Sequence, residues 1–209
     1  MTFFFFFFDG ALFDLLILQN ICKEVLAYYS KEKFVSLCKE WAKEYSKELY
    51  DLIESDEEKF TKIINIEREQ EKPRKDYEKY SDVLPKISFF YNSYYEKMME
   101  EKTLEWNPFI DRNLIKEMLE EFKSSMDYSL DEQAWFASLK ALGVKHGFAE
   151  NFKLYKKDKD AYKGHVGDVA EMVRIALTSS KQSPNLYQVL HILGKEEVDR
   201  RIELAVSKL

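Results

Sequence analysis

The sequence predicts an all-α protein, and three of its features lead to that prediction. Only six glycines and four prolines occur in 209 residues, fewer than the turns of an all-β protein need. Hydrophobic residues make up 45% of the chain and charged residues 33%, which is enough of each for amphipathic helices. The two kinds also alternate with helical spacing. The length allows one large domain or two small ones with hydrophobic cores.

The chain begins with an apolar segment, MTFFFFFFDGALFDLLILQ. No basic residue precedes the phenylalanines, and Asp9 and Asp14 interrupt the apolar run, so the segment fits neither an export signal nor a membrane span. We therefore expect a cytoplasmic protein. Residues 1–8 are interpreted as a low-complexity start. They are either a strand that docks on something outside this chain or the product of a truncated or shifted reading frame.

Residues 9–125 are predicted to form a helical, bundle-like domain. The segment SKEKFVSLCKEWAKEYSKELYDLI has aromatic and leucine side chains near helical spacing, which predicts one amphipathic helix. Ser55 and Glu58 form a capping-box pattern for the next helix. Pro73 and Pro85 predict breaks before the aromatic helix KISFFYNSYYEKMMEEK. Its aromatic stripe is interpreted as core rather than as a base-stacking platform.

Residues 126–209 are predicted to form a second, smaller helical domain. Ser129 and Glu132 form another capping-box pattern, ahead of EQAWFASLKALGVKHG. Ser183 is predicted to be an N-cap and Pro184 the first residue of its helix, which ends at Gly194. A final helix follows. The predicted buried faces of the last three helices are Val169, Met172, Val173, Ala176 and Leu177; Leu186, Val189, Leu190 and Leu193; and Val198, Ile202 and Val206.

The charge distribution bears on nucleic-acid binding. A net charge of -6 argues at first against it, because lysine and arginine are needed to displace phosphate counterions. The charge is unevenly spread, however: residues 136–209 carry a net charge of +4 and the residues before them -10. A mildly basic C-terminal segment is compatible with a local site for a polyanion.

The sequence offers no pattern for a metal site or for an enzyme active site. Cys22, Cys38 and the three histidines lack metal-ligand spacing, so we expect free thiols in a reducing compartment and no metal. Phosphate-binding glycine motifs are absent. No set of nucleophile, base and oxyanion donors can be assembled, and abundant acidic residues are typical of solvated helix faces.

Several motifs in order along the chain resemble the C-terminal, anticodon-binding end of bacterial glutamyl-tRNA synthetases. They are KG-x-V-G-D-V-A, V-R-I-A-L-T, S-P-N-L-Y-x-V-L, L-G-K-E and R-I. Upstream, GALFDLLILQNICKEVL resembles the segment after the catalytic half of that family, and IEREQEKPRKDYEKYSDV and WFASLKALGVKHGFAENFKLYKKD fall in the expected order. The resemblance spans residues 9–209 and implies that the second domain is the C-terminal anticodon-binding domain.

The family's H-I-G-H-like and K-M-S-K-S-like elements are missing from this sequence. The resemblance therefore implies a tRNA-binding part without the ATP and glutamate site, which does not charge tRNA alone. We expect no cofactor in this chain, with ATP and Mg acting only in the missing catalytic domain. The implied partners are tRNA-Glu and a separate catalytic synthetase domain.

The resemblance also implies the site residues. Arg174 matches an arginine that contacts an anticodon base, since a guanidinium can bond a base edge and stack on its face. Ser183, Pro184 and Leu186 match the residues around the following helix start, where splayed bases are received. The alternative role for Arg174 is a salt bridge to Glu171 or Glu197.

Further basic residues are candidates for RNA contacts. Members that discriminate tRNA-Glu from tRNA-Gln read the third anticodon base with an upstream arginine, and Arg68 and Arg74 are the two candidates for it. Lys156, Lys157 and Lys163 are candidate phosphate contacts, and the alternative for them is a solvated loop. The alternative for the whole chain is a helical protein-interaction scaffold that derives from this domain and has lost RNA binding.

Overall fold

The computed structural model describes residues 14–209, and this part of the chain is all-α, as predicted. Residues 1–13, with the phenylalanine run, lie outside the described residues. Between residues 14 and 209 the chain forms no strand, only an isolated bridge between Ala149 and His165. The helices are α1 (Leu15–Ala27), α2 (Lys31–Tyr45), α3 (Lys47–Ser55), α4 (Glu57–Ile64), α5 (Val83–Ile87), α6 (Asn92–Glu101), α7 (Arg112–Ser125), α8 (Glu132–Lys145), α9 (Phe152–Lys157), α10 (Val166–Thr178), α11 (Leu186–Leu193) and α12 (Lys195–Val206).

Two predicted helices are interrupted. The segment predicted as one helix after residue 30 breaks at Ser46, whose hydroxyl caps α3 by accepting from the Leu49 backbone N–H at 3.4 Å. The aromatic helix predicted after Pro85 is divided into α5, a 3-10 turn (Ser88–Phe90) and α6. Its aromatic stripe is core, as expected, since Phe89, Phe90 and Tyr95 are buried.

All three helix starts predicted at serines lie elsewhere, because each serine hydroxyl bonds another group. Ser55 Oγ donates to the Leu52 carbonyl at 2.8 Å, and Ser129 Oγ donates to Asp127 at 2.7 Å. Ser183 Oγ accepts from Arg174 and donates to the Pro184 carbonyl. The N-caps are instead the next Asp or Asn side chains along the chain: Asp56 for α4, Asp131 for α8 and Asn185 for α11. Pro184 therefore precedes α11 and is not its first residue.

Buried hydrophobic residues form two clusters. The first runs from Phe34 to Phe90 and also takes in Val189 of α11. The second runs from Tyr95 to Ala205 and contains most of the predicted inward faces of α10, α11 and α12. Because α11 contributes to both clusters, it fixes one to the other. The domain division at residues 125 and 126 stays a prediction.

Arg201, on α12, joins the two clusters through hydrogen bonds. Its side chain is 0% exposed, and Nη1 donates to the carbonyls of Phe89 and Leu177, each at 2.7 Å. Nε donates to Glu197 at 2.5 Å, and the guanidinium lies 3.9 Å from the centre of the Tyr95 ring. Tyr95 donates its hydroxyl to the Ala176 carbonyl at 2.5 Å. The buried cation thus satisfies the C-terminal end of α10 and neutralises the Glu197 carboxylate.

Both cysteines are free, as predicted. Burial raises the pKa of the Cys38 thiol to about 12, so Cys38 acts as a packing residue of the first cluster. From residue 14 onward, the chain has no helix long and apolar enough to cross a bilayer.

We predict that Arg201→Met lowers the free energy of unfolding by about 3 to 5 kcal/mol, because Glu197 and two carbonyls lose their buried partner. Urea denaturation followed by circular dichroism measures this loss. Arg200→Met is the matched control, since Arg200 pairs with the same Glu197 but is 38% exposed, and it is expected to cost about 1 kcal/mol or less. Equal costs for the two variants would contradict the role given to Arg201.

Candidate nucleic-acid interface

The candidate site lies where α10 ends and the chain turns toward α11. The inward face predicted for α10 is buried as expected, from Val169 to Leu177. Thr178 Oγ1 donates to the Arg174 carbonyl at 2.9 Å, and the backbone of Ser179 is left-handed, with φ of 55°. A non-glycine residue in this region is under backbone strain that its surroundings must hold. The turn therefore starts the loop of residues 179–185 in a fixed direction.

Arg174 and Ser183 meet in this loop. Arg174 Nε donates to Ser183 Oγ at 2.9 Å, and Ser183 Oγ donates to the Pro184 carbonyl at 2.8 Å. Among residues 14–209, Arg174 has no ion pair, so the alternative salt bridges to Glu171 and Glu197 do not form. Its Nη1 and Nη2 atoms make no hydrogen bond to any of these residues. Arg174 is half-buried and keeps two terminal nitrogens for another partner.

Arg74 approaches the same serine from the first half of the chain. Its Nη1 donates to the Ser183 carbonyl at 3.2 Å and to Glu67 Oε2 at 3.1 Å, while Nε donates to Asp76 at 2.6 Å. The Asn185 backbone N–H also donates to Glu67 Oε2, at 3.2 Å. Glu67 therefore connects Arg74 to the start of α11.

Strain marks both sides of this junction. Glu67 has φ of 54°, and it and Ser179 are the two non-glycine residues with positive φ between residues 14 and 209. Strained backbone of this kind tends to occur at functional sites. Both residues border the contact between the loop of residues 65–76 and the loop of residues 179–185.

A cavity of about 430 Å³ lies between these two loops. Four cationic side chains and one anionic side chain line it, together with serine, threonine, glutamine and apolar residues. The charged residues are Arg68, Arg74, Lys86, Lys102 and Asp76. The cavity combines positive charge, hydroxyl and amide groups, and apolar walls. Such a lining suits a planar group with polar edges that is part of a negatively charged molecule.

The two arginines of the junction influence each other. Burial is the main reason that the pKa of Arg174 is lowered; the Glu171 carboxylate opposes that shift, and the charge of Arg74 adds to it. Desolvation also acts on Arg74, but its hydrogen bonds and charge pairs with Asp76 and Glu67 raise its pKa overall. The positive charge of Arg74 is thus balanced by its acidic neighbours, whereas the charge of Arg174 is balanced less well.

The structure separates the two upstream arginine candidates. Arg68 is 8% exposed; its Nη1 donates to the carbonyls of Leu26, Ala27 and Tyr29 at 2.7 to 3.3 Å, and Nε donates to that of Ile64. The guanidinium also lies 4.3 Å from the Phe34 ring centre. Arg68 therefore fastens the end of α1 to the first cluster with its Nε and Nη1 donors, while it also lines the cavity. Arg74 is the one of the two that reaches the junction with Ser183.

The remaining predicted site residues are not all together. Pro184 is half-exposed and lines the cavity, but Leu186 is buried, so its side chain packs in the second cluster. Lys156, Lys157 and Lys163 are exposed at the opposite, N-terminal end of α10. They belong to a different part of the surface from Ser183.

Sequence reasoning missed the residues that hold the junction in place. Glu67 and Asn185 have the bonds described above, and Asn185 Nδ2 also donates to Glu132 Oε1 at 2.7 Å. Glu67 lies in the charge-dense segment IEREQEKPRK, but nothing in that segment indicates a partner 118 residues away. Across residues 14–209, no group of three or more His, Cys, Asp and Glu side chains is placed to hold a metal ion.

Comparisons with known proteins show the family of this chain. The family described as anticodon binding domain matches residues 33–206. The glutamate–tRNA ligase of Clostridium perfringens is 38% identical over 194 residues, which are 93% of this chain and 35% of the relative. Those of Acetivibrio thermocellus and Sorangium cellulosum are each 34% identical, over 93% and 92% of this chain and 35% and 33% of their own length. The chain thus spans about a third of the length of these relatives.

We predict that Arg68→Met lowers the free energy of unfolding by about 2 to 4 kcal/mol, because it leaves buried carbonyls without donors. Arg74→Met is the matched control and should cost about 1 kcal/mol or less, since its partners are partly exposed. Chemical denaturation of both variants measures the difference. A larger cost for Arg74→Met than for Arg68→Met would contradict the assignment.

Proposed function

Because this chain belongs to the anticodon binding domain family, we propose that it binds tRNA and recognises the anticodon of tRNA-Glu. The names of the relatives support glutamate as the amino acid concerned. Family membership does not favour the alternative of a protein-interaction scaffold without RNA binding. We also propose that the protein acts in the cytoplasm, where translation takes place.

One observation carries the proposal: the guanidinium groups of Arg74 and Arg174 both bond Ser183, one through its carbonyl and the other through its hydroxyl. Arg74 is paired with Glu67 and Asp76, but Arg174 is partly desolvated and has no ion pair among the described residues, so its charge lacks a negative partner. An RNA strand supplies that partner with its phosphates. It also supplies bases that fit a cavity with polar and apolar walls.

Arg174 is the residue that we expect to touch a base directly. Its free Nη1 and Nη2 donors can bond the acceptors of a base edge as a pair, while the flat face of the guanidinium is available for stacking. Ser183 holds Nε and so fixes the plane of the group before RNA binds. Arg74 is proposed to act beside it, with its orientation set by Glu67 and Asp76. This arrangement makes Arg74 our candidate for discrimination of tRNA-Glu from tRNA-Gln.

We propose that aminoacylation takes place on a catalytic domain that lies outside residues 1–209. ATP and Mg would act there, and this chain alone would not charge tRNA. Helix α1 is a suitable surface for that catalytic partner, because most of its apolar side chains face solvent. The exposed ones are Leu15, Leu16, Ile17, Leu18, Ile21 and Val25. Exposed apolar patches of this kind mark protein contacts.

The direct test is the affinity for a tRNA-Glu transcript at near-physiological salt. Arg174→Ala is expected to weaken binding by about 1 to 3 kcal/mol, because a paired base contact or a stacking contact is lost. Lys47→Ala removes a positive charge from the exposed face of α3 and should leave the affinity nearly unchanged. Fluorescence anisotropy with labelled RNA gives both values. No preference of the wild-type chain for tRNA-Glu over an unrelated tRNA would refute the proposal.

The partner surface is tested separately. Analytical ultracentrifugation of this chain with the N-terminal two thirds of the Clostridium perfringens ligase is expected to give a complex that Leu16→Asp weakens at least tenfold. Tyr45→Asp is the control, since Tyr45 is an exposed aromatic residue on α2. Complex formation that is equally strong with Leu16→Asp would exclude α1 as the contact.

A further inference from the structure

The N-terminal end of α10 has a second surface that the junction at Ser183 does not use. Phe152, the first residue of α9, is 59% exposed. Its ring packs edge-on against His165, with 5.3 Å between the ring centres, and Tyr155 lies 5.6 Å from the same imidazole. An exposed phenylalanine held in a fixed orientation by aromatic neighbours presents a face for stacking.

Lysines without ion pairs lie close to these rings in the sequence. Residues 152–163 contain five lysines and two aspartates. Within residues 14–209, none of these lysines has an acidic partner within 4.0 Å, although many other lysines of the protein do, such as Lys39 and Lys145. The lysines are Lys153, Lys156, Lys157, Lys159 and Lys163. We call them, together with Phe152 and Tyr155, the lysine–aromatic surface.

Helix α10 connects this surface to the junction. His165 is its N-cap, and its ring lies over Gly167, where an added Cβ would meet Cε1 at 2.4 Å. Gly167, Glu171 and Arg174 follow at helical spacing on the exposed side of α10. Nine residues separate His165 from Arg174, which is about 14 Å along the helix axis. Successive stacked nucleotides of one strand rise about 3.4 Å along the helix axis, so a stacked strand that runs along α10 spans this gap with about four nucleotides.

We propose that the lysine–aromatic surface binds the RNA strand about four nucleotides away from the bases held at the junction, with lysines on its phosphates and Phe152 stacked on a base. This inference rests on the proposed function, since it takes the RNA bound at Arg174 as its starting point. Positive charge without acidic partners, next to exposed aromatic faces, is the combination that binds single-stranded or splayed nucleic acid.

The test compares exposed phenylalanines at the two sides of α10. Phe152→Ala is expected to weaken binding of the tRNA-Glu transcript about 5- to 100-fold, and Phe152→Tyr to retain it, because a tyrosine ring also stacks. The matched control is Phe109→Ala: Phe109 is 93% exposed near Asp168 of α10, but its neighbours Glu105 and Asp111 are acidic. Replacing Lys156 and Lys157 by alanine should lower the salt dependence of binding by about two counterions.

The outcomes separate this inference from the proposed function. If the wild-type chain binds tRNA-Glu and Arg174→Ala weakens it, but Phe152→Ala binds as tightly as Phe109→Ala, the lysine–aromatic surface is not an RNA site. If, in addition, Phe152→Ala but not Phe109→Ala changes the sedimentation coefficient of the protein, the lysine–aromatic surface is a protein contact. That result also overturns the inference. If the wild-type chain does not bind tRNA-Glu at all, the proposed function itself fails. Circular dichroism melting of each variant confirms that it is folded.

Discussion

A buried cation, Arg201, is the most deeply buried polar link between the two hydrophobic clusters of this protein. Arg201 reaches from α12 to the carbonyl of Phe89 in the first cluster and to that of Leu177 at the end of α10. A buried guanidinium needs partners for its donors and its charge; here Glu197 and the two carbonyls satisfy Nε and Nη1, whereas Nη2 has no hydrogen-bond partner among the described residues. The requirement holds the end of α10, and the loop that follows it, at a fixed position against the first cluster.

That position is what brings the candidate site together. The loop of residues 179–185 comes from the second half of the chain, and the loop of residues 65–76 comes from the first. They meet through Glu67, Arg74 and Ser183, with strained backbone on each side. Arg174 is then left with free donors next to Ser183, which lines the cavity. Arg68, only six residues from Arg74 in the sequence, holds α1 instead. Of these two neighbouring arginines, Arg68 thus has a structural role and Arg74 a proposed binding role.

Much of the fold could be predicted from the sequence because it depends on local patterns. The inward faces of α10 and α12 follow from helical spacing, and Gly194 ends α11 with φ of 76°, a conformation that glycine adopts easily. The serine caps were wrong because each hydroxyl has a better partner elsewhere. Arg201 and Glu67 were missed because one partner of each, Phe89 and Asn185, lies more than a hundred residues away. Arg174 and Ser183 were predicted from the resemblance to a known family. The hydrogen bond between them shows that the two side chains are in contact.

The central claim is that the junction at Ser183 recognises anticodon bases rather than RNA charge in general. The most direct measurement is the affinity of the wild-type chain for two tRNA-Glu transcripts that differ only in the three anticodon bases. A junction that contacts base edges predicts that the changed anticodon binds about tenfold more weakly or worse, at the same salt concentration. Equal affinity for the two transcripts would contradict the claim, because phosphate contacts alone do not distinguish sequence.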